Sequence, residues 1–509
     1  MRVAVAADHA GMPLRDSVVE AVRASGAEPV ILLLPNAGPE DDYPDAARLV
    51  GRAIASGAVT RGVVVCGSGA GVAIAASRLP LVRAATAHDT YTAHQMVEHD
   101  DANVLAIGAR IVGTAVVDEL VRAFVGASFA TEARHARRLA EVLALHASPP
   151  NGPRQLHEAG QSLWLDNINK SLLETGTLAY YIEELAVTGL TSNPSILAHA
   201  LSAHSGYDDA IRRYLGEGLT SPEDLALALS LEDLRTAADL FRPNFDASEG
   251  FDGLVSVEVP PGLADAAEET IAFAGRLVRE ADRPNVLVKV PGTQAGLTAV
   301  EELIARGVGV NVTLLFSPAH YIAAAEAYLR GLERRAAKGE SLAVPSVASI
   351  FVSRWDVAAN PLLPRRLHEK LGVATTEMVY AAYSDLCASE RFQSLKRLGA
   401  RPQRVLWAST STKDPEFSDT YYLGRLVAPG TIDTVPEQTL LAFAEHGKVG
   451  DLVRPDREAA EQVLAEVAAE GIDLDGLAAS LQREGLASFV GDWSALLSSM
   501  QAKISALSS

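Results

Sequence analysis

A lysine can attack a ketone only once it has lost its proton, and water normally prevents that loss. Eight lysines occur in the 509 residues, none of them before Lys170. Seven lie in polar, helix-like or loop contexts, such as Asn169-Lys170-Ser171 and Ala337-Lys338-Gly339, where a solvated ammonium is the natural reading. Lys289 sits instead inside Asn285-Val-Leu-Val-Lys289-Val-Pro-Gly-Thr293, a strand-like run short enough to be wholly buried. Burying an unpaired ammonium costs several kcal/mol, so such a group gives up its proton or finds a partner. A desolvated neutral lysine is a nucleophile toward carbonyls. Taken alone, the pattern fits equally well a lysine snorkelling out of an edge strand or pairing structurally with Glu258.

The neighbouring strand candidates alter that balance. Polar residues recur at their ends: Asp166 after Leu163-Trp-Leu, Asn193 in Thr191-Ser-Asn-Pro-Ser195, Glu258 after Val255-Ser-Val, Asn311 and Thr313 in Val310-Asn-Val-Thr, and Ser349 with Arg354 in Ser349-Ile-Phe-Val-Ser-Arg354. Each by itself could be a turn or cap residue. In a barrel of parallel strands all such ends converge on one mouth, where these groups would surround the lysine. Six such ends in succession around one buried lysine are hard to explain as packing. Lys413, beyond the strand candidate Arg404–Ser409, is a further cation candidate, set against a solvated loop lysine.

A second constellation lies upstream. Gly62-Val-Val-Val-Cys66-Gly67-Ser68-Gly69-Ala-Gly71 runs from a strand through a glycine-rich turn into a helix, which aims backbone N–H groups at an anion. Its G-x-G-x-G spacing is not the dinucleotide fingerprint. Cys66 reads either as a small buried hydrophobe or as a thiolate favoured by the adjacent turn. Asp8 and His9 end the first strand candidate, and Tyr43 lies in Asp41-Asp-Tyr-Pro44. His99, Asn103 and Arg110 follow, and then Arg134 and Arg138. Four residues apart on a helix, the two arginines share one face, as a phosphate clamp or as plain surface decoration.

Two frameworks must position these groups. Apolar segments Val3–Ala7, Val30–Leu34, Val63–Cys66, Arg83–Ala87 and Val104–Ile107 alternate with amphipathic stretches, the rhythm of a Rossmann-like, doubly wound parallel sheet. A helix from about Glu132 to His146 closes this unit. Ala147-Ser-Pro-Pro-Asn-Gly-Pro153 then breaks the pattern, which places a first domain at 1–147, a linker at 148–160 and a second domain at 161–509. The second domain offers strand candidates Leu163–Asp166, Ala186–Leu190, Leu254–Val259, Val286–Val290, Val308–Thr313, Val344–Ser349, Arg404–Ser409 and Arg425–Ala428. Eight strands with helices between them predict an α/β (β/α)8 TIM barrel, with extra helices after Arg454.

Composition narrows the class. Apolar residues at 48% and charged residues at 21% are ordinary for a globular chain. A formal charge of -20 argues against a nucleic-acid surface, which needs a basic face. Cys66 and Cys387 are too few for a disulfide framework and suit a reducing compartment. Neither a signal peptide nor a run of about 20 apolar residues is visible, so a cytoplasmic protein without a membrane span is expected.

Leu163-Trp-Leu-Asp166, Gly189-Leu-Thr-Ser-Asn-Pro-Ser195, Val288-Lys289-Val-Pro-Gly-Thr293, Asn311-Val-Thr-Leu-Leu-Phe-Ser317 and Ser349-Ile-Phe-Val-Ser-Arg354 resemble the transaldolase signatures, in the same order. The resemblance runs from about Gln155 to the C-terminus. It implies that Lys289 forms a Schiff base with a ketose donor and that Asp166 handles the hydroxyl proton lost on carbon–carbon cleavage. Glu258 and Thr313 would hold a catalytic water. Asn193 and Asn311 would bind the three-carbon intermediate, with Ser349 and Arg354 on the phosphate. Upstream, Ala7-Asp8-His9-Ala-Gly11, Asp42-Tyr43-Pro44, Cys66-Gly-Ser-Gly-Ala-Gly71, Asn103-Val-Leu-Ala-Ile-Gly-Ala-Arg110 and Arg134-His-Ala-Arg-Arg138 resemble type B ribose 5-phosphate isomerase over about residues 1–147.

That second resemblance implies Cys66 as the base, Ser68 assisting, and the amides of Gly67, Gly69 and Gly71 stabilising an enediolate. Asp8 and His99 would open the sugar ring, with His9, Arg134 and Arg138 on the phosphate and Tyr43, Asn103 and Arg110 completing the pocket. Val72 stands where one branch of the family has glutamate, which favours the cysteine branch. Asp100 stands where asparagine is frequent, and Ser68 replaces threonine. Family members build this site across a dimer interface, so a homodimer is implied. The expectation is a bifunctional pentose phosphate enzyme with sugar-phosphate substrates and no metal or cofactor. Three alternatives stay open: a related Schiff-base aldolase, a catalytically idle first domain serving dimerisation, and a first site acting on allose 6-phosphate.

Overall fold

The computed structural model describes residues 1–34, 42–55, 57–79, 81–130, 132–146, 152–192, 205–454 and 457–507. The chain divides into two compact units, Met1–Pro149 and Pro150–Ser509.

In the first unit, β1 (Arg2–Ala7), β2 (Glu28–Ile31), β3 (Arg61–Cys66), β4 (Ala84–Thr86) and β5 (Val104–Gly108) form one parallel sheet in the order β2-β1-β3-β5-β4. Its strands read as unbroken apolar runs because both faces are covered. Val3, Val5, Val63, Val65, Leu105 and Ile107 pack on one face against helices α1 (Met12–Ala24), α4 (Thr90–Asp100) and α5 (Thr114–Gly126). The alternate residues Ala4, Ala6, Val64, Cys66, Val104 and Ala106 face α2 (Tyr43–Ala55) and α3 (Ala70–Ala76). The guanidinium of Arg61 donates to the carbonyls of Val125 at 3.1 Å and Ala127 at 2.7 Å, satisfying the end of α5. The connection reverses direction between β1 and β3, so the loops that begin at Asp8 and Gly67 lie side by side at the carboxyl edge.

The second unit is a closed barrel of eight parallel strands: β6 (Ser162–Asp166), β7 (Val187–Thr191), β8 (Leu254–Glu258), β9 (Val286–Pro291), β10 (Val310–Leu315), β11 (Ser346–Phe351), β12 (Arg404–Ala408) and β13 (Ile432–Val435). Leu163, Leu165, Val288, Val290 and Val312 point outward to the helices. Trp164, Leu254, Leu287, Val347, Leu406 and Ile432 fill the interior. Gly189 makes room for that layer, since a Cβ there would lie 2.4 Å from the Trp164 indole. Below it, Arg404 is 3% exposed, pairs with Asp252 at 3.0 Å and donates to Ser162 Oγ at 2.6 Å, sealing the amino end of the barrel.

Two expectations require correction. The eighth strand is Ile432–Val435, whereas Arg425 ends the helix Tyr421–Arg425 and Leu426–Ala428 is buried without being a strand. Pro429-Gly430 ends the apolar run before it can pair, and Asp433 and Thr434 mask the true strand. The expected linker 148–160 is also shorter than supposed. Gly152–Glu158 is a helix whose Leu156 is fully buried in the barrel's outer core.

Candidate functional site

Above the apolar layer, the inward positions of the barrel turn polar. Glu258 on β8 is level with Lys289 on β9, and Lys289 is level with Asn311 on β10. Strand alternation therefore aims all three at the same interior. Lys289 is 6% exposed. Its Nζ donates to the Ser192 carbonyl at 3.4 Å and lies 5.6 Å from the Phe489 ring centre, with no carboxylate at ion-pair distance among the described residues. A structural ion pair with Glu258 is thus not what buries it.

Glu258 shows the opposite anomaly. Both carboxyl oxygens are shielded from solvent and make no hydrogen bond among the described residues. Burial pushes its pKa up to about 7, with Asp166 and Asp492 adding to the rise and Lys289 opposing it. The Thr313 hydroxyl, fully buried on β10, is likewise unpartnered among the described residues. A carboxyl that can be protonated near neutrality and an unused hydroxyl are the two ends of a proton-handling site. Asp166, at the end of β6, accepts from Thr191 Oγ1 at 2.9 Å.

Asn311 is fixed on two sides. Its Nδ2 donates to Ser256 Oγ at 3.1 Å, and Ser349 Oγ donates to its Oδ1 at 2.7 Å. Ser349, expected on the phosphate with Arg354, therefore uses its one hydrogen inside the sugar-facing layer. Arg354 lies on the helix Ser353–Ala359, half-buried over the Phe351 ring at 5.2 Å. It has no carboxylate at ion-pair distance among the described residues, and burial lowers its pKa. A desolvated guanidinium without an anion is a receptor for one. Lys413 is exposed and donates to Ser411 Oγ at 2.8 Å. Asn193 lies outside the described residues.

The helix Leu474–Leu507 supplies a roof that sequence reasoning missed. Gln482 donates to the carbonyls of Gly292 at 3.2 Å and Leu314 at 2.9 Å, Gly485 lies against Leu314 and Arg354, and Phe489 covers Lys289. The sequence showed a helix here but gave no signal of where it docks.

The first unit has two clusters. At the carboxyl edge, Gly69 adopts φ +80° so that its N–H donates to Cys66 Sγ at 3.2 Å, and Ala70 N–H donates to Ser68 Oγ at 3.3 Å. A Cβ on Gly71 would lie 3.0 Å from the Tyr43 ring, and one on Gly67 would lie 3.6 Å from Arg110 Nε. Asp8 is 4% exposed, accepts from Gly11 N–H at 2.8 Å and starts the adjoining loop, with His9 next to it. Cys66, Gly67, Ser68, Gly69, Gly71, Asp8, His9, Tyr43 and Arg110 thus share one edge.

His99 belongs to the other cluster. It is in the last turn of α4, stacked on His135 of α6 (Ala133–His146) with ring centres 4.1 Å apart. His135 is 3% exposed and accepts from Arg134 Nε at 3.0 Å, while burial, then His99 and Arg134, hold its pKa below the usual imidazole value. Arg138 is exposed on the same helix. Asn103 serves the chain itself, donating to Leu81 O at 2.7 Å and accepting from Arg83 N–H at 2.8 Å. Its carbonyl accepts from Gly62 N–H at 2.8 Å, which sets it level with the start of β3. Cys66 ends that strand four residues later, about 13 Å along it. Within one chain the structure therefore leaves His99, Arg134 and Asn103 apart from Cys66.

Comparison with known proteins divides the chain at the same place. Residues 163–500 match the family model Transaldolase/Fructose-6-phosphate aldolase, and residues 3–142 match Ribose/Galactose Isomerase. A transaldolase of Saccharopolyspora erythraea is 44% identical over 69% of this chain and 96% of its own length. One from Frankia alni is 42% identical over 67% of this chain and 95% of its own. Among solved structures, type B ribose 5-phosphate isomerase of Trypanosoma brucei is 42% identical over 28% of this chain and 97% of its own, with a TM-score of 0.27.

Proposed function

The chain belongs to the transaldolase/fructose-6-phosphate aldolase family, and we infer from that premise a bifunctional enzyme that joins sugar-phosphate isomerisation to dihydroxyacetone transfer. The observation that carries the reading is Lys289, sealed under Phe489 with Glu258 beside it and no ion-pair partner among the described residues.

In the barrel, Lys289 Nζ adds to C2 of sedoheptulose 7-phosphate or fructose 6-phosphate. Glu258, half-protonated near neutrality, moves protons with Thr313 through a water as the carbinolamine loses hydroxide and the iminium forms. Asp166 takes the C4 hydroxyl proton while the C3–C4 bond breaks, and the electron pair passes into the iminium to give an enamine. Asn311, held by Ser256 and Ser349, and Asn193 bind the three-carbon fragment until the enamine attacks the acceptor aldehyde. Arg354 binds the phosphate. Borohydride trapping with fructose 6-phosphate followed by peptide mapping tests this, with an adduct on Lys289 expected. A stable adduct on another lysine, or none, rejects it.

In the first unit, Cys66 moves a proton between C2 and C1 of ribose and ribulose 5-phosphate through an enediolate facing the amides of Gly67, Gly69 and Gly71. Ser68 assists at the reshaped hydroxyl. Asp8 and His99 open the ring, and His9, Arg110, Arg134 and Arg138 hold the phosphate. Because Cys66 and His99 sit at different ends of one sheet, a second copy of the chain supplies His99 and the α6 arginines to each Cys66, which supports a homodimer. No helix among the described residues is long and apolar enough to cross a membrane. A cytoplasmic setting, where a free cysteine stays reduced, suits this chemistry.

A further inference from the structure

Arg354 can select a phosphate only if the short helix that carries it stays in place, and that helix is tied down by an unusual device. Ser353 N–H donates to Ser409 O at 3.0 Å, and Trp355 Nε1 donates to Phe316 O at 2.9 Å. The third tie is Asp356, which is fully buried. Its Oδ1 accepts from the N–H groups of Leu371 at 3.0 Å and Gly372 at 3.2 Å, the latter shared with Oδ2 at 3.1 Å, capping the helix Leu371–Ala388. Its Oδ2 lies 2.7 Å from the Tyr422 hydroxyl.

That same hydroxyl is also in contact with Oε2 of Glu369, a residue 2% exposed and held at φ 56°. Glu369 Oε1 accepts from Asn360 Nδ2 at 3.0 Å. A phenol has one hydrogen. If both carboxyls were ionised, one of them would face the oxygen lone pairs of Tyr422 with nothing between. A single proton on the carboxyl pair resolves this, because the protonated carboxyl donates to Tyr422 and Tyr422 donates to the other. No cation forms an ion pair with either carboxyl among the described residues. Nearby titratable groups include Tyr421, whose hydroxyl donates to Glu369 O at 3.1 Å, beyond it Arg425 and Glu377, and the chain neighbours of Glu369, Lys370 and His368, the latter 3.8 Å from Asp414. Burial raises the Asp356 pKa to about 7, with Glu369 adding to the rise, in keeping with a proton held by the pair.

We propose that Asp356 and Glu369 share one proton through Tyr422, and that this cluster is the positioning device that holds Arg354 at the barrel mouth for the substrate phosphate. The inference rests on the reading of Arg354 given above. Asp356, Glu369 and Tyr422 act through Arg354 and touch no substrate. Loss of the shared proton at alkaline pH leaves two buried charges facing one hydroxyl and loosens the helix.

The test compares kcat/KM for fructose 6-phosphate with that for unphosphorylated fructose in the full-length enzyme. Arg354→Ala sets the scale of phosphate discrimination. Asp356→Ala and Tyr422→Phe are expected to lose about tenfold or more of that discrimination through KM, with fructose turnover little changed. Asp356→Asn, whose Oδ1 keeps the bonds from Leu371 and Gly372 while Nδ2 donates to Tyr422 without a titrating proton, is expected to retain wild-type discrimination at neutral pH and to hold it at pH 9, where the wild type loses it. Unchanged discrimination in both Asp356→Ala and Tyr422→Phe overturns the inference while leaving Arg354 assigned, and so does an Asp356→Asn enzyme that follows the wild-type pH profile. Unchanged discrimination in Arg354→Ala overturns the phosphate reading itself and the inference with it.

Discussion

In the barrel, Asp166, Glu258, Lys289 and Asn311 come from four strands and end at one mouth, because closing the sheet brings every carboxyl end to the same rim. In the open sheet of the first unit, Cys66 sits at one edge while His99 and Asn103 lie toward the other, and no closure joins them. A closed sheet can complete a site alone. An open one, on the reading proposed above, would reach the same density of reactive groups by borrowing from a second copy.

That contrast can be broken by mutation. The largest effect is expected from Lys289→Ala, which removes the covalent step and should lower transaldolase turnover by at least about 10⁴-fold while isomerase activity stays unchanged. A parallel fall in both activities would mean that the two units are not independent catalysts. Cys66→Ala is the mirror experiment, with isomerisation down by about 10³-fold and transfer untouched. If instead the wild type isomerises no pentose or hexose phosphate, the first unit is the idle dimerisation module.

Glu258→Gln sharpens the picture of the barrel. Transfer is expected to fall by about 10²-fold, and the limb of the pH–rate profile near neutrality should vanish. Stability should move the other way. The Glu258 pKa is raised by burial to about 7 in the folded enzyme, so the folded state binds the extra proton. Wild-type stability therefore declines as pH rises from about 4 to 7, by an amount of order 3 kcal/mol, and glutamine escapes that decline. Melting temperatures at pH 5 and pH 8 check the sign, since equal differences at the two pH values would contradict it.

The smallest effect tests the open sheet. Chains carrying Cys66→Ala, mixed with chains carrying His99→Ala, should regain roughly a quarter of wild-type isomerase activity, because half the dimers are mixed and each holds one intact site. No recovery after verified exchange would place both residues in the same site of one chain.

Much of this was legible in the sequence because strand ends in parallel sheets carry chemistry and their flanks carry apolar runs. Five parallel strands, seven of the eight barrel strands and the Lys289 layer follow from that rule. What escaped lies where local pattern and tertiary role part company. Ile432–Val435 hides behind Asp433 and Thr434, while the more apolar Leu426–Ala428 is not a strand. The bond from Ser349 to Asn311 has no local signature in the sequence. His135 gains meaning only from its stack on His99, and Phe489 only from docking above Lys289, both set by contacts between distant segments.

The roof over Lys289 also sets an order of events during synthesis. Leu474–Leu507 leaves the ribosome after all eight barrel strands, and Gln482 has no carbonyls to bind until those strands are paired. The first unit, compact in itself, can fold while the barrel is still being translated. Until that helix docks, Lys289 lacks the Phe489 ring that covers it. The covered site is therefore complete only after the segment carrying Gln482 and Phe489 has left the ribosome.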